Sequence, residues 1–328
     1  MRADLRHWLR VLAWATLPAT AGPGASDALD TFRDAPRIVG AVILWGAWVL
    51  GLVAVLAPRP RGLTFARTAA PVAVVLALAA VIDGRIEDLA AVGAVAGTVV
   101  AAAFITDPDF ALASVNGDSY GNERRFPLVT PPALYLGPLP VVRALAAAAV
   151  VAPALLLADE QWVAGAITAV VAVPIMLAAS RALHSLSRRF VVLVPAGIVI
   201  ADPMTLADPV LFTREHVMSL RAVPSTAALS DDELDLRLGA TRGSARLVLD
   251  HPADLLRARR GRAASAMVKA PALRVAVVAR GQMLAAAAQR RLRVEVDRAV
   301  RSRRDAASDQ GLPVVQRDNL AGGDPRLR

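Results

Sequence analysis

The chain has 328 residues, of which 55% are hydrophobic and only 20% are charged. It contains no cysteine, which excludes disulfides, thiolate metal sites and cysteine nucleophiles. The formal net charge is +9; residues 1–185 contain 13 Arg and 13 acidic residues, so the whole excess (24 − 15 = +9) lies in residues 186–328. Because the apolar residues are concentrated in long uncharged runs before residue 183, the composition is typical of a membrane protein.

The first 21 residues allow two interpretations. Three arginines precede a short apolar run at residues 11–21, which Pro18 interrupts. One interpretation is a short or kinked first membrane helix, which we prefer because any of the five later spans could target the chain. The other is a cleaved signal peptide with an A-x-A site at residues 19–21. Both interpretations place residues 22–37 outside the cell.

Five long apolar runs, of which the fourth carries Arg143 near its start and the others carry no charge, predict membrane-spanning helices. They are residues 38–57, 68–82, 89–105, 141–158 and 162–179. A run of 20 residues, such as the first, covers the ~30 Å hydrocarbon layer at ~1.5 Å per residue. The second run is shorter, but residues 63–65 extend it if the side chain of Arg67 snorkels to the interface. Gly93 and Gly97 form a GxxxG motif in the third run, which favours the close approach of a neighbouring helix.

Arginines in the connecting loops predict the orientation of these spans. The 58–67 and 106–143 loops contain three Arg each, whereas 83–88 contains one and 159–161 none; the segment after residue 180 contains many. This alternation follows the positive-inside rule and predicts a multi-pass plasma-membrane protein with a cytoplasmic C-terminal domain. If the first run is counted, there are six spans and both termini are inside.

The C-terminal part predicts a small β-rich domain. Its candidate strands alternate in polarity or are bounded by turn residues, and they are residues 190–194, 197–201, 209–212, 217–220, 235–238, 245–249 and 273–278. From Gln282, apolar residues recur at every fourth position to Val300, which predicts a C-terminal helix. The composition after residue 305 predicts a disordered tail. The expected domains are therefore a transmembrane domain at 1–185, a cytoplasmic β domain at 186–304 and a tail at 305–328.

The cytoplasmic loop at residues 106–140 gathers most of the polar residues of the membrane half. Its candidate ligand- or partner-binding residues are Asp118, Tyr120, Glu123, Arg124 and Arg125. The carboxylates could act as acid and base or bind a cation, and the guanidiniums could bind a phosphate or a lipid headgroup. Alternatively, the loop is a structured connector in which an Asn-Gly step turns the chain and Glu123 pairs with an arginine. No GxSxG, Walker A or GxGxxG motif is present, the four histidines lack zinc-site spacing, and we predict no catalytic residue, metal or cofactor.

A second candidate site is a cluster of four arginines between two strand candidates. They are Arg257, Arg259, Arg260 and Arg262. On a domain tethered close to a bilayer, such a cluster would meet anionic headgroups, at about 1 kcal/mol per charge near the surface. The alternative is a solvated hairpin loop in a chain whose default surface cation is Arg. Nucleic acid is not expected as a partner, because no aromatic residues are interleaved with the basic ones.

Two stretches carry a resemblance to known proteins. Residues 116–127 (NGDSYGNERRFP) and 187–203 (SRRFVVLVPAGIVIADP) resemble an uncharacterised family of actinobacterial multi-pass integral membrane proteins, and the resemblance covers most of residues 1–295. It implies no activity. The second stretch also resembles the opening strands of bacterial pleckstrin-homology-like (PH-like) domains that follow membrane helices, through Arg189-Phe190 and the turn at Gly197. The loop at 106–140 departs from the two-helix arrangement of those PH-like proteins.

Three functions remain open from the sequence. The first is a non-enzymatic membrane protein whose PH-like domain binds anionic lipid headgroups or another membrane protein. The second is a transporter or channel subunit, in which Pro71, Pro153 and Pro174 break helices around a path, although no charged residue lies in the middle of a span. The third is an enzyme acting on a lipid-linked phosphate through the loop at 106–140. Packing of that loop against the C-terminal domain would create the one composite site that the sequence suggests.

Overall fold

The computed structural model of the protein describes residues 2–84, 86–258 and 266–295. Its helices are α1 (Arg2–Ala15), α2 (Leu17–Thr20), α3 (Gly22–Asp30), α4 (Asp34–Leu56), α5 (Pro60–Ile82), α6 (Asp88–Thr106), α7 (Pro108–Asn116), α8 (Pro132–Leu136), α9 (Pro138–Ala158), α10 (Trp162–Ser187) and α11 (Arg280–Gln289). In the described part of the chain, five helices are long and apolar enough to cross a membrane: α4, α5, α6, α9 and α10. The five predicted spans are therefore confirmed.

Two of the helices, α5 and α10, extend furthest beyond the predicted runs. Helix α5 begins at Pro60, so Arg67 lies inside it, and α10 continues past Arg181 to Ser187. The expectation that prolines break the spans is wrong, because Pro71, Pro153 and Pro174 lie inside continuous helices. Membrane helices tolerate proline where neighbouring helices and hydroxyl side chains satisfy the freed backbone groups.

The N-terminal segment is broken into three short helices that pack along α6. Gly93 and Gly97 allow this packing: a Cβ atom on Gly93 would lie 2.6 Å from the carbonyl oxygen of Thr20, and one on Gly97 would collide with the hydroxyl of the same Thr20. Further along, Gly24 of α3 packs against Ala94. The GxxxG motif of α6 thus contacts the N-terminal segment, and α1 by itself is too short to be a full span.

Two tryptophans fix α1 to α4. The indole N–H of Trp14 donates to the carbonyl of Trp48 at 2.9 Å, and the indole N–H of Trp48 donates to the carbonyl of Trp14 at 3.1 Å. Trp14 is only 4% exposed and lies against Gly51, where a Cβ atom would collide with its ring. Both indole donors are satisfied by this exchange, as an apolar environment requires.

The bundle has two distinct ends. At one end, Arg33 Nη1 lies 3.6 Å from Asp159 Oδ1, which joins the α3–α4 turn to the α9–α10 turn. At the other end, Gly117 packs against the carbonyl of Pro58, which joins the α4–α5 turn to the segment after α7. We call the second one the sheet end, because α10 leaves the bundle there and enters the β-sheets.

The strands of the described residues form two sheets. Their strands are β1 (Arg124–Pro127), β2 (Phe190–Val194), β3 (Gly197–Ala201), β4 (Val210–Thr213), β5 (Val217–Ala222), β6 (Glu233–Asp235), β7 (Ser244–Leu256), β8 (Met267–Ala276) and β9 (Val294–Glu295). The first sheet is antiparallel with the order β1-β2-β3-β4. In the second, the order is β6-β8-β7-β5, with β6 parallel to β8 and Val294 of β9 beside β5.

Strand β1 comes from the loop between α6 and α9, so the sheet domain contains a piece of the membrane half. Arg125 pairs with Val192 and Phe126 pairs with Val191 in the β1–β2 register. Beyond β1, the N–H of Val129 donates to the carbonyl of Ala276 at 2.8 Å, which ties the same segment to the second sheet. The 106–140 segment is therefore not an irregular loop: it contains α7, β1 and α8, and it packs against the C-terminal domain.

The core of the sheet domain combines both sheets, β1 and α11. Fully buried side chains from β1 and the segment after it, Phe126 and Leu128, lie in one cluster with Leu193 of β2, Leu273 of β8 and Met283 of α11. Burial of a large apolar side chain contributes about 1.5–3 kcal/mol. The loop segment thus supplies part of the hydrophobic stabilisation of the C-terminal domain.

The C-terminal expectations need three corrections. The helix predicted from Gln282 to Val300 ends at Gln289, because Arg291 adopts a left-handed conformation (φ 60°) and Val294 returns to a strand; Val300 lies outside the described residues. The strand expected at 235–238 is Glu233–Asp235, since Leu238 has φ 53°. Strands β7 and β8 are longer than expected and form one bent hairpin. The predicted tail at 305–328 lies outside the described residues.

Candidate functional site

The side-chain amide of Asn116 holds the 116–127 segment, because it bonds to the backbone of β1 as a neighbouring strand would. Asn116 Nδ2 donates to the carbonyl of Arg125 at 2.7 Å, and Asn116 Oδ1 accepts from the N–H of Arg125 at 2.9 Å. The guanidinium of Arg290 donates to the carbonyls of Asn122 and Leu193, which ties the same segment to β2. These bonds position β1 at the edge of the first sheet.

The polar residues that the sequence singles out in this segment engage in separate local contacts. Asp118 lies 4.0 Å from the guanidinium of Arg59, and Tyr120 is 90% exposed. Glu123 accepts from the backbone N–H of Tyr120 and from Arg125 Nη2, both at 2.6 Å. Burial acts to raise the pKa of Glu123, but these hydrogen bonds outweigh burial and lower the pKa below its ordinary value.

The two arginines of β1 contact aromatic rings. The guanidinium of Arg124 lies 5.3 Å from the ring centre of Phe126, and that of Arg125 lies 5.3 Å from the ring centre of Phe190. Asp118, Tyr120, Glu123, Arg124 and Arg125 therefore do not converge on one pocket. The interpretation as a structured connector, with Glu123 paired to an arginine, describes this segment best.

A buried ion pair joins the connector, the exit of α10 and the first sheet. Arg189 Nε lies 2.7 Å from Asp202 Oδ1, and Arg189 Nη2 lies 2.8 Å from Asp202 Oδ2. The remaining Arg189 Nη1 donates to the carbonyl of Val129 at 3.1 Å. The sequence placed Arg189 among the basic residues that end a span, whereas the structure places it in the interior of the sheet domain.

The hairpin of β7 and β8 brings the second sequence candidate towards the exit of α10. The N–H of Ala258 donates to the carbonyl of Thr205 at 2.9 Å, and Thr205 Oγ1 donates to Asp202 Oδ2 at 2.8 Å. Asp202 in turn pairs with Arg189, two residues after α10 ends. Arg257 is half-buried at this end of the hairpin. The rest of the arginine cluster lies outside the described residues: Arg259, Arg260 and Arg262.

A cavity with a volume of about 460 Å³ lies between the N-terminal helices and α4. Its walls are almost wholly apolar and include Trp14, Trp45 and Trp48. Of its two hydroxyl side chains, Ser26 and Thr98, the second donates to the carbonyl of Ala94 in its own helix. An ion or polar solute would find few ligands here, so this cavity does not provide the polar path that the transporter alternative requires.

A smaller cavity at the sheet end has the opposite character. It has a volume of about 30 Å³ and is lined by three leucines and by the polar residues Thr64, Arg67, Thr68, Thr130, Tyr135, Arg143 and Ser187. Sequence reasoning missed it, because Arg67 and Arg143 counted only as interfacial charges of two different loops. The available signal was that each is an arginine one or two turns inside its helix, directly before a long uncharged stretch.

Two histidines that are distant in sequence meet in the sheet domain. The ring centres of His216 and His251 are 4.9 Å apart in an edge-to-face arrangement. His216 Nδ1 lies 3.1 Å from the hydroxyl of Thr213, and His251 Nδ1 lies 3.1 Å from Asp250 Oδ2. Within the described ranges, no group of three or more His, Asp or Glu side chains is arranged to hold a metal ion.

Comparisons with known proteins add no relatives to this picture. No protein-family model, no curated protein and no solved structure matches the chain. What this protein does must therefore be argued from its membrane helices, its fused sheet domain and the side chains at the sheet end.

Proposed function

We propose that this is a multi-pass plasma-membrane protein whose PH-like sheet domain, on the cytoplasmic side, binds anionic headgroups of the membrane in which the protein is embedded. In this proposal it is a non-enzymatic binding or regulatory module of the actinobacterial type that its sequence resembles. The PH-like assignment is supported by two sheets around one core with a helix, α11, packed into it.

The observation that carries the proposal is the position of Arg257 and Ala258, where the sequence of the arginine cluster begins. Hydrogen bonds lead from Ala258 through Thr205 and Asp202 to Arg189 at the exit of α10. The arginine cluster begins one residue before Ala258 and continues directly after it. Because α10 ends at Ser187, the cluster starts close to the membrane surface, where each charge contributes about 1 kcal/mol of attraction to anionic lipid.

The orientation of the protein in the membrane can be tested with single introduced cysteines, because the chain has no cysteine of its own. Met218 is 53% exposed on β5, and Gln161 is exposed in the α9–α10 turn. We expect a membrane-impermeant maleimide to label Gln161→Cys on intact cells and to label Met218→Cys only after lysis. Labelling of Met218→Cys from outside would overturn the cytoplasmic placement.

Lipid contact is tested with the full-length protein in nanodiscs. An environment-sensitive dye at Ala266→Cys reports on the hairpin, since the exposed Ala266 accepts from the N–H of Arg257 at 2.9 Å. We expect its emission to shift to the blue when phosphatidylglycerol replaces part of the phosphatidylcholine. Replacing all four cluster arginines by glutamine, or adding about 1 M salt, should remove most of that shift.

The matched control is the same dye at Glu215→Cys. Glu215 is exposed in the β4–β5 turn, whose neighbour Arg214 bonds to Ala196 at the end of the first sheet opposite Asp202. Its emission should not respond to phosphatidylglycerol. The lipid proposal fails if the four-arginine variant keeps the shift at Ala266→Cys, or if both dye positions respond equally.

A further inference from the structure

Two arginines from different membrane helices share one small cavity at the sheet end. Arg67 belongs to α5 and Arg143 belongs to α9, and both are partly buried. In each, the Nε atom is removed from solvent and has no hydrogen-bond partner. Each of the two guanidiniums therefore keeps a buried Nε donor beside this cavity that no protein acceptor satisfies.

The charges in this cavity are not balanced by the protein. Within residues 2–84, 86–258 and 266–295, no carboxylate forms an ion pair with Arg67 or Arg143. The other polar side chains of the wall carry hydroxyl groups and are Thr64, Thr68, Thr130, Tyr135 and Ser187. Burial of like charges without a counter-charge is costly, so an arrangement of this kind favours an anion that completes it.

Two of the neighbouring hydroxyl groups contact each other. Thr64 Oγ1 lies 2.7 Å from Ser187 Oγ, so α5 is tied to the end of α10 beside the two arginines. Tyr135 of α8 also lines the cavity and is 53% exposed. The site is thus formed by three membrane helices and by the short helix that precedes α9.

We propose that Arg67 and Arg143 bind a phosphate group, with the hydroxyl of Tyr135 at the rim of the site. Guanidinium groups match phosphate oxygens in charge and in the spacing of their donors. The cavity of about 30 Å³ holds about one or two water molecules, so it admits phosphate oxygens while the rest of the ligand stays outside. A phospholipid headgroup or free inorganic phosphate can supply this group. The evidence for this phosphate site does not include the arginine cluster of residues 257–262.

The test uses the full-length protein in a phosphate-free maltoside detergent, with thermal unfolding followed by tryptophan fluorescence. Phosphatidic acid and diacylglycerol of the same chain length are compared, because they differ only in the phosphate group. We expect phosphatidic acid to raise the midpoint of unfolding and diacylglycerol to leave it unchanged. Arg67→Gln or Arg143→Gln should each weaken the apparent affinity by about ten- to a hundredfold, as loss of a charge-assisted hydrogen bond predicts.

Arg181→Gln is the matched control, since Arg181 is an exposed arginine of α10 that does not line the cavity. Its affinity for phosphatidic acid should equal that of the wild type. If inorganic phosphate raises the midpoint of unfolding and phosphatidic acid does not, and if Arg67→Gln abolishes this rise, the site exists and its ligand is free phosphate. The proposal is overturned if phosphatidic acid and diacylglycerol change the midpoint of unfolding equally and inorganic phosphate does not change it. It is also overturned if Arg67→Gln, Arg143→Gln and Arg181→Gln weaken the affinity for phosphatidic acid equally.

A further variant separates binding from a structural role. If the buried cation awaits a ligand, Arg67→Met should be at least as stable as the wild type in the absence of phosphate, because an uncompensated charge is removed. The same variant should gain nothing from phosphatidic acid. A large loss of stability in ligand-free detergent would show that Arg67 holds the fold together, and the proposal would then be wrong.

Discussion

Arg189 and Asp202 form a bidentate ion pair at the centre of the junction between bundle and sheets. The side chains are 1% and 0% exposed, and the two N···O distances are 2.7 and 2.8 Å. Asp202 also accepts from the hydroxyl of Thr205 and the N–H of Met204, so its oxygens are fully satisfied. A buried pair is stable only when its remaining donors and acceptors are satisfied in this way.

Removing one member of this pair should be strongly destabilising. Asp202→Ala leaves the Arg189 guanidinium buried without a counter-charge, at a cost of about 3–5 kcal/mol. We expect a large fall in the free energy of unfolding, measured by denaturant titration of the detergent-solubilised protein. Asp208→Ala, at an exposed position of the same loop, should change it by less than about 0.5 kcal/mol. Similar stabilities of the two variants would contradict the assigned role.

The C-terminal domain should need β1 in order to fold. A fragment that begins at residue 186 lacks Phe126 and Leu128, which are 0% and 6% exposed in the intact core. We expect this fragment to be poorly folded by circular dichroism and nuclear magnetic resonance, and we expect a version with residues 122–130 fused to it to be folded. In the full-length chain, Phe126→Ala should cost about 3–5 kcal/mol. A well-folded fragment without β1 would contradict this prediction.

The glycines of α6 should be required for packing of the N-terminal segment. A side chain at Gly97 collides with Thr20, so Gly97→Ala should displace α2 and cost about 1–3 kcal/mol. The measurement is the thermal midpoint in detergent together with the rate of proteolysis in residues 1–30. Gly46→Ala in α4 is the control, because a Cβ atom there meets nothing within 4 Å. Equal behaviour of the two variants would show that this close approach does not exist.

One carboxylate of the sheet domain should contribute to acid sensitivity. Burial acts to raise the pKa of Asp235, but three hydrogen bonds from Arg237 outweigh it and lower the pKa below the ordinary value of 3.8. A lowered pKa gives stability that is fully present above 3.8 and is lost as the pH falls through the folded-state pKa. Asp235→Asn should therefore be less stable than the wild type at neutral pH, and the difference should shrink below about pH 4.

The control for this pH profile is Asp231→Asn, which makes the same chemical change at an exposed position of the β5–β6 connection. Its free energy of unfolding should differ little from that of the wild type at neutral pH. A stability difference for Asp235→Asn that grows on acidification would reverse the sign expected from the hydrogen bonds of Arg237.

The spans and strands β2 and β3 could be predicted because their signals are local. An uncharged run of about 20 residues has few environments other than a bilayer, which is why all five long helices were found. The Pro195-Ala196-Gly197 turn between two β-branched runs likewise predicts the β2–β3 hairpin that the structure contains. The end of α11 was missed because the four-residue repeat continues through Leu292, whereas the chain leaves the helix at Arg291.

Strand β1 and the arginine cavity could not be read from local patterns. Arg124-Arg125-Phe126-Pro127 is short and ends in proline, and its partner β2 follows only after two intervening membrane helices. The approach of Arg67 to Arg143 depends on the packing of α5 beside α9, which composition does not specify. Both the β1–β2 pairing and the cavity between Arg67 and Arg143 depend on contacts between residues that are distant in sequence, which tertiary context determines.

The pairing of β1 with β2 also constrains how the protein is made. The ribosome completes β1 before the α9–α10 hairpin and β2 after it, so both strands reach one compartment only if that hairpin crosses the bilayer twice or not at all. If a nascent chain inserts only one helix of this hairpin, β1 and β2 lie on opposite sides of the membrane. Phe126 of β1 then cannot pack against β2. The first sheet can therefore form only in chains that have inserted both helices of the hairpin or neither, and a chain that has inserted only one lacks the β1–β2 pairing.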